Sequence, residues 1–546
     1  MLALDTKYRI PTAALIAVLV SVVIVPFTAA DVFRDSLVEG GALAALFAVR
    51  VAFGLLVFAV AYYALRFSER LRAGDRTYRR WLIVSAVYLV INLALLAFIW
   101  PGYWVWDEYF VLTATHAGEL PSWQNVLTSI YFVLSMLAIP SGVGIVLIQA
   151  VVSAIAVGYV VARTASVLRR PRLAYLLLIP LVTAPVLLNN LYPLRLTMYS
   201  YLELLVLFRL LFIAKQPELV TNRYRELLVF GAAISLLAFW RTEGIYYLLV
   251  IPILLVALRI FRRPARRLLG VATVFAIVAM VGGTYYLTSS TNEPRYQVTA
   301  SLNPISVMLQ HPLTGEHLDE NLAAIDRVVD LDIVRQFPSA VEVPSFWKGA
   351  VRTDYAEHIG GYNRAFVSLV LENPGAYVDA RVQTFLSANS LTTSITQIQR
   401  ATPFYGERPE PVSELIDTFE NENRGAKPLD SDLRSSVVRQ FLMIDNAGTL
   451  SPLAALVWTI IPVGLLLTAA FVIALVRRKW LYAGIAALIL ARAALVLVTA
   501  PSNYFMYYLP LFLSGWLFVG FLAVRLADRL LGTRVARKKR GRTREV

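Results

Sequence analysis

Trp100-Pro-Gly-Tyr-Trp-Val-Trp-Asp-Glu-Tyr109 decides how this chain is read. The apolar run before it, 81–100, is long enough to cross a bilayer, and Pro101-Gly102 ends it. Asp107 and Glu108 therefore stand at a membrane surface. No Lys or Arg occurs between Trp100 and Pro140. Two carboxylates in such a place call for a metal, a proton to handle, or a cation from elsewhere in the fold.

Composition agrees with a membrane protein. Of 546 residues, 58% are hydrophobic and 16% charged, against about 25% charged in soluble domains. The net charge of +15 does not argue for nucleic acid, because the basic residues fall in short runs between apolar stretches. With no cysteine, disulfides and thiolate metal sites are excluded.

Twelve apolar stretches are expected to span: 13–30, 41–66, 81–100, 141–162, 173–191, 197–214, 227–243, 245–261, 268–288, 453–476, 480–499 and 506–526. The connections around Arg66–Arg80, Arg163–Arg172, Lys215–Arg225, Arg262–Arg267 and Arg477–Lys479, and the tail 531–546, then share one side. The positive-inside rule makes that side the cytoplasm, with both termini there. The opposite side holds loop 101–140 and the long segment 289–452. In the loop, 122–139 is apolar and reads as a helix lying along the surface. Helical periodicity over 319–332, 355–372 and 377–387, broken at Asn373-Pro374-Gly375, makes 289–452 a mainly helical domain. The fold class is an all-α polytopic membrane protein of about twelve spanning helices with a helical extracytoplasmic domain.

At a helix end Asp107 and Glu108 can share a cavity, one as general base and the other holding a divalent cation. Capping of the next helix by two solvated acids is the plain alternative. Arg195, Arg241 and Arg381 are expected beyond the non-cytoplasmic ends of spans, against the charge bias. A guanidinium there suits a phosphate, or else an internal pair. Tyr103, Trp106, His116 and Trp347 are candidates to line a substrate. The four histidines show no zinc spacing, and no nucleotide-binding glycine loop occurs.

This layout resembles the GT-C superfamily of polytopic membrane glycosyltransferases. So do the segments Leu194-Arg-Leu-Thr-Met-Tyr-Ser-Tyr201, Phe239-Trp-Arg-Thr-Glu-Gly-Ile245 and Glu372-Asn-Pro-Gly-Ala-Tyr377. The resemblance implies a two-helix addition (1–80), a seven-helix module (81–288), an extracytoplasmic domain (289–452) and three further helices (453–530). It implies a bacterial plasma-membrane enzyme with its site on the extracytoplasmic face, a polyprenyl-phosphate sugar donor and a glycan or lipid-linked acceptor. Asp107 would be the base. Asp107 and Glu108 would hold any Mg or Mn, Arg195, Arg241 and Arg381 would hold the donor phosphate, and no nucleotide would be used. Leu120-Pro-Ser-Trp-Gln124 departs from the acidic or His-Pro feature of many bacterial members. Two alternatives stand beside it: a lipid-linked polysaccharide polymerase or ligase relying on His311, His358 and Arg381, and a twelve-helix secondary transporter.

The topology has a direct test. A Ser122→Cys variant should react with a membrane-impermeant maleimide added outside intact cells. Reaction only from the cytoplasmic side would overturn the assignment.

Overall fold

The computed structural model describes residues 8–24, 42–117, 126–216, 223–241, 244, 246–257, 282, 294–341, 344–392, 416–421, 425–445 and 450–542. In chain order the helices before the long insertion are α1 (Arg9–Leu19), α2 (Ala42–Arg72), α3 (Arg76–Phe98), α4 (Trp106–His116), α5 (Val126–Ala138) and α6 (Gly142–Val167). A 3-10 helix (Pro171–Val182) follows, then α7 (Ala184–Asn190), α8 (Arg195–Lys215), α9 (Arg223–Trp240) and α10 (Tyr247–Ala257). The insertion carries α11 (Pro294–Met308), α12 (Leu318–Asp326), α13 (Leu331–Gln336), α14 (Pro344–Trp347), α15 (Tyr355–Glu372), α16 (Pro374–Ala388) and α17 (Ser431–Leu442). The chain closes with α18 (Ala454–Val457), α19 (Ile461–Val476), α20 (Trp480–Thr499), a 3-10 turn (Phe505–Tyr508) and α21 (Leu509–Arg542).

Among the described residues the only β pairings are two isolated bridges, Val329–Val351 and Ile444–Leu450. The protein is an all-α, multi-pass membrane protein. Among the described residues seven helical segments are long and apolar enough to cross, or eight if a bent pair counts as one span. They match the expected 41–66, 81–100, 141–162, 197–214, 453–476, 480–499 and 506–526. The expected 13–30, 227–243 and 245–261 overlap described helical stretches at 9–24, 223–240 and 247–257, and residues 25–30, 242–243, 245 and 258–261 lie outside the described residues. The expected 268–288 lies outside the described residues apart from 282.

Burial ranks the spans. The apolar windows of α6 and α8 are 72% and 78% buried, whereas that of α2 is 6% buried. The centre of the bundle is therefore α6 and α8, and α2 is peripheral. Arg50 on α2 is exposed. In lipid, helices associate through close packing rather than through the hydrophobic effect. α6 supplies small residues for it: Ala150, Ser153, Ala154, Ala156 and Gly158 are buried. A Cβ on Gly158 would fall 2.1 Å from Ser85 Oγ and 2.8 Å from the Trp81 carbonyl of α3. There Trp81 Nε1 donates to the Ile155 carbonyl at 2.9 Å.

The stretch 173–191 is not the straight span that its hydropathy suggests. The 3-10 helix and α7 meet at an angle of 76°. Pro180 lies inside the first piece and Pro185 in the first turn of the second. Each lacks an N–H, and a proline ring inside a helix clashes with the carbonyl four residues back. Broken backbone inside a membrane protein must be satisfied by its neighbours. The two N–H groups of Gln149 Nε2 on α6 are shared among three carbonyls, those of Asn189 (3.2 Å), Asn190 (3.0 Å) and Tyr192 (2.6 Å). Thr197 Oγ1 adds a bond to the Asn189 carbonyl at 2.9 Å. Asn190 Nδ2 donates to Tyr88 Oη and Asn92 Oδ1 of α3, and its Oδ1 accepts from Tyr201 Oη of α8.

The mid-span charges Glu203 and Arg492 meet. Arg492 Nη1 lies 3.0 Å from Glu203 Oε2, with both side chains at most 1% exposed. The guanidinium also sits 4.4 Å from the Tyr199 ring centroid.

The described basic connections gather at one end of the bundle, and Arg262–Arg267 lies outside the described residues. Arg9 pairs with Glu69. Arg163 lies over the rings of Tyr78 and Tyr159, and Lys215 over that of Tyr482. The backbone amides of Arg169 and Arg170 donate to Asp528.

In the insertion, α15 covers the expected 355–372, and α16 begins after the break at Asn373. The expected 319–332 is two helices, because Asp330 caps α13 through the amides of Asp332 and Ile333. The core of this domain includes Val298, Leu302, Ile325, Val328, Tyr362 and Leu369.

Breaking the Glu203–Arg492 pair from one side leaves a charge buried alone. Glu203→Ala should cost about 3–5 kcal/mol and lower the melting temperature in detergent. Replacing both by Leu should restore much of the loss. An unchanged melting point for the single variant would contradict this account.

Candidate active site

The acidic loop sits at the end of the bundle opposite the basic connections. Asp107 and Glu108 occupy the first turn of α4, behind Val105 as N-cap. Negative charge is favoured there by the amide groups and the helix dipole. Two solvated caps is nevertheless not what the structure contains. Glu108 is 3% exposed, and Asp107 is half-buried.

What holds the loop is visible residue by residue. Gly102 has φ +120°, a conformation that L side chains rarely adopt. A Cβ there would come within 2.9 Å of both the Leu191 carbonyl and Val146 Cγ2. The close approach lets the Tyr103 amide donate to the Leu191 carbonyl at 2.8 Å. The rings of Tyr103 and Tyr192 then meet at 5.3 Å. The loop carrying the carboxylates is thus docked on the turn that leads to Arg195.

Residues 416–421 and 425–445 close over this junction. Phe419 sits 4.6 Å from Trp104 and 5.0 Å from Tyr109, centroid to centroid. Trp100 Nε1 donates to the Gly425 carbonyl. Arg434 of α17, 5% exposed, donates from Nη2 to the Gly102 carbonyl at 2.9 Å. A guanidinium therefore reaches a loop that has no cation of its own. The sequence offered no signal for Arg434, because it lies 332 residues from Gly102 in the chain.

The candidate arginines divide. Arg195 is half-buried and opens α8. A cation in a first helical turn opposes the helix dipole, so helix stability does not account for it. Arg241 follows the last residue of α9, where the dipole favours a cation. It is 7% exposed and lies 5.7 Å from the Tyr507 ring centroid. The preceding Trp240 donates from Nε1 to Thr128 Oγ1 of α5 and faces Tyr131 at 6.0 Å. Arg241 is thereby tied to the helix that follows the acidic loop. Arg381 is engaged elsewhere. It is 4% exposed, and its Nε and Nη2 each donate at 2.8 Å, to the carbonyls of Leu497 and Ala500. Burial pushes its guanidinium below the usual arginine range, and the carbonyl end of α20 offsets that cost. In this placement it clamps the domain to the end of a span.

Tyr103 and His116 are both buried. His116 ends α4, nine residues after Asp107, so the two backbones stand about 13 Å apart along the axis. It does not join the acidic pair as a ligand. The side chains of Trp106 and Trp347, and Glu243, lie outside the described residues. His311 pairs with Asp379, and His358 approaches Asp354, both at exposed positions.

Among the described residues no group of three or more acidic, histidine or cysteine side chains could hold a metal ion. Asp107 and Glu108 alone form a partial donor set. Magnesium commonly uses one or two carboxylates and takes its other ligands from substrate phosphate and water. Comparison with family models, curated proteins and solved structures finds no match.

Gly102 is the hinge of this arrangement. Gly102→Ala should destabilise the protein by about 1–3 kcal/mol through strain and overlap with Leu191. Gly74 also has positive φ, but a Cβ there would meet nothing within 4 Å. Gly74→Asn, a residue that tolerates this conformation, should melt close to wild type. Equal melting of Gly102→Ala and wild type would show that the loop has slack.

Proposed function

We propose that this protein is a membrane glycosyltransferase of the bacterial plasma membrane. It moves a sugar from a polyprenyl-phosphate donor to a glycan or lipid-linked acceptor on the extracytoplasmic side. One observation carries the reading. Two carboxylates and the Arg195 turn are locked together at the bundle end that faces away from the basic connections, under a cap from the long insertion. The opposite polarity of the two ends is the reason for placing the site outside the cytoplasm.

In this reading Asp107 accepts the proton of the acceptor hydroxyl. The acceptor oxygen forms a bond to the anomeric carbon while the bond from that carbon to the phosphate oxygen breaks. A single displacement inverts the anomeric centre. Polyprenyl phosphate departs with the bonding electron pair, and Arg195 and Arg241 stabilise its charge. Asp107 and Glu108 are the residues that would hold a divalent cation, which would supply further neutralisation of the leaving phosphate. The sugar arrives already activated as its lipid phosphate, so the reaction needs no nucleotide.

Asp107→Asn keeps the size and loses the base. Transfer from a panel of polyprenyl-phosphate pentoses and hexoses in nanodiscs should fall by about 10²–10⁴-fold, with thermal unfolding unchanged. Turnover near wild type would remove Asp107 from the base role.

A further inference from the structure

α16 carries an exposed apolar strip beside the face by which it binds the rest of the protein. Tyr377, Arg381 and Thr384 lie along one side and bind protein. Tyr377 Oη donates to the Val498 carbonyl at 3.0 Å, Arg381 holds Leu497 and Ala500, and Thr384 Oγ1 donates to the Ala340 carbonyl. Phe385 faces the Tyr508 ring at 5.6 Å. At 100° per residue, Val378, Val382 and Leu386 form the next strip around the helix. Val378 is 56% exposed and Val382 41% exposed. Beyond that strip come Asp379 and Gln383, bonded to each other, with His311 on Asp379.

The anchoring points give this strip its depth. Val498 lies in the last turn of α20, a membrane-crossing helix, and is itself 51% exposed. Tyr508 lies in the crossing segment Phe505–Leu531. α16 is therefore pinned beside the ends of two spans, with its exposed apolar strip next to the face that holds them.

We propose that α16 is an interfacial helix. Val378 and Val382 enter the acyl region of the adjoining leaflet, and Asp379 and Gln383 remain in the headgroup layer. The partner is bulk lipid. The arrangement joins an apolar strip, a polar edge and a tether at membrane depth, as amphipathic helices lying in the interface do. It also fixes the height of the insertion domain whose core includes Val298, Leu302 and Tyr362. The inference does not depend on which reaction the protein performs.

The chain has no cysteine, so single spin labels report cleanly. Val378→Cys, Val382→Cys and Gln383→Cys would each be labelled in the full chain. Vesicles of phosphatidylcholine and phosphatidylglycerol serve as the membrane. Val472→Cys on α19, at a position 50% exposed within a span, serves as the lipid reference. Labels at 378 and 382 should collide with oxygen in preference to a water-soluble nickel chelate, at a depth of about 5–10 Å below the headgroups. The label at 383 should show the reverse preference. Nickel preference at 378 and 382 would overturn the proposal by placing the strip in water. Low collision rates with both reagents would overturn it by showing that protein covers the strip.

Discussion

Three backbone carbonyls, those of Asn189, Asn190 and Tyr192, converge on the single amide nitrogen of Gln149. The cause lies in covalent chemistry. Pro180 and Pro185 forbid a continuous helix over an apolar stretch that enters the bundle. An unsatisfied peptide group inside a membrane protein costs several kcal/mol. The break persists because an amide on the best-buried side of the bundle reaches it. The Asn190–Tyr88–Asn92–Tyr201 cluster then fixes the break against α3 and α8.

From that point the positions of the candidate groups follow in order. The break sets the turn 191–195, and the Leu191 carbonyl of that turn receives the Tyr103 amide. Gly102 permits the approach, and the first turn of α4 follows a few residues later. The carboxylates are therefore placed by a proline-broken helix some eighty residues downstream. The insertion contributes last, through Phe419 and Arg434. A local helix terminus becomes a packed candidate site only when all three layers meet.

Hydropathy and breaker residues made part of this legible. Seven of the expected spans, helix 355–372 and the break at Asn373 rest on local signals, namely length, apolar periodicity and Pro-Gly. The acidic pair stood out because nothing basic surrounds it. Other features resisted for definite reasons. The 173–191 stretch is apolar enough to pass as one span, since hydropathy averages over prolines that decide backbone direction. The expectation for 319–332 missed a turn, because Asp330 reads equally well as a surface residue and as a cap. Arg381 looked like a phosphate ligand on charge and position, and its helix-end carbonyls are invisible in a linear sequence. Arg434 carried no signal at all.

The arginines at buried or half-buried positions can be sorted by what their placement already explains. Arg492 answers Glu203 inside the bundle. Arg381 answers the carbonyl end of α20, and Arg434 answers the Gly102 carbonyl. Arg241 sits at a helix end that favours a cation, over an aromatic ring. Arg195 differs, because the first turn of α8 disfavours positive charge. Its position is set by the turn that Gln149 holds, and that turn also receives the acidic loop. The same turn therefore fixes both the start of α8 and the loop that carries the two carboxylates.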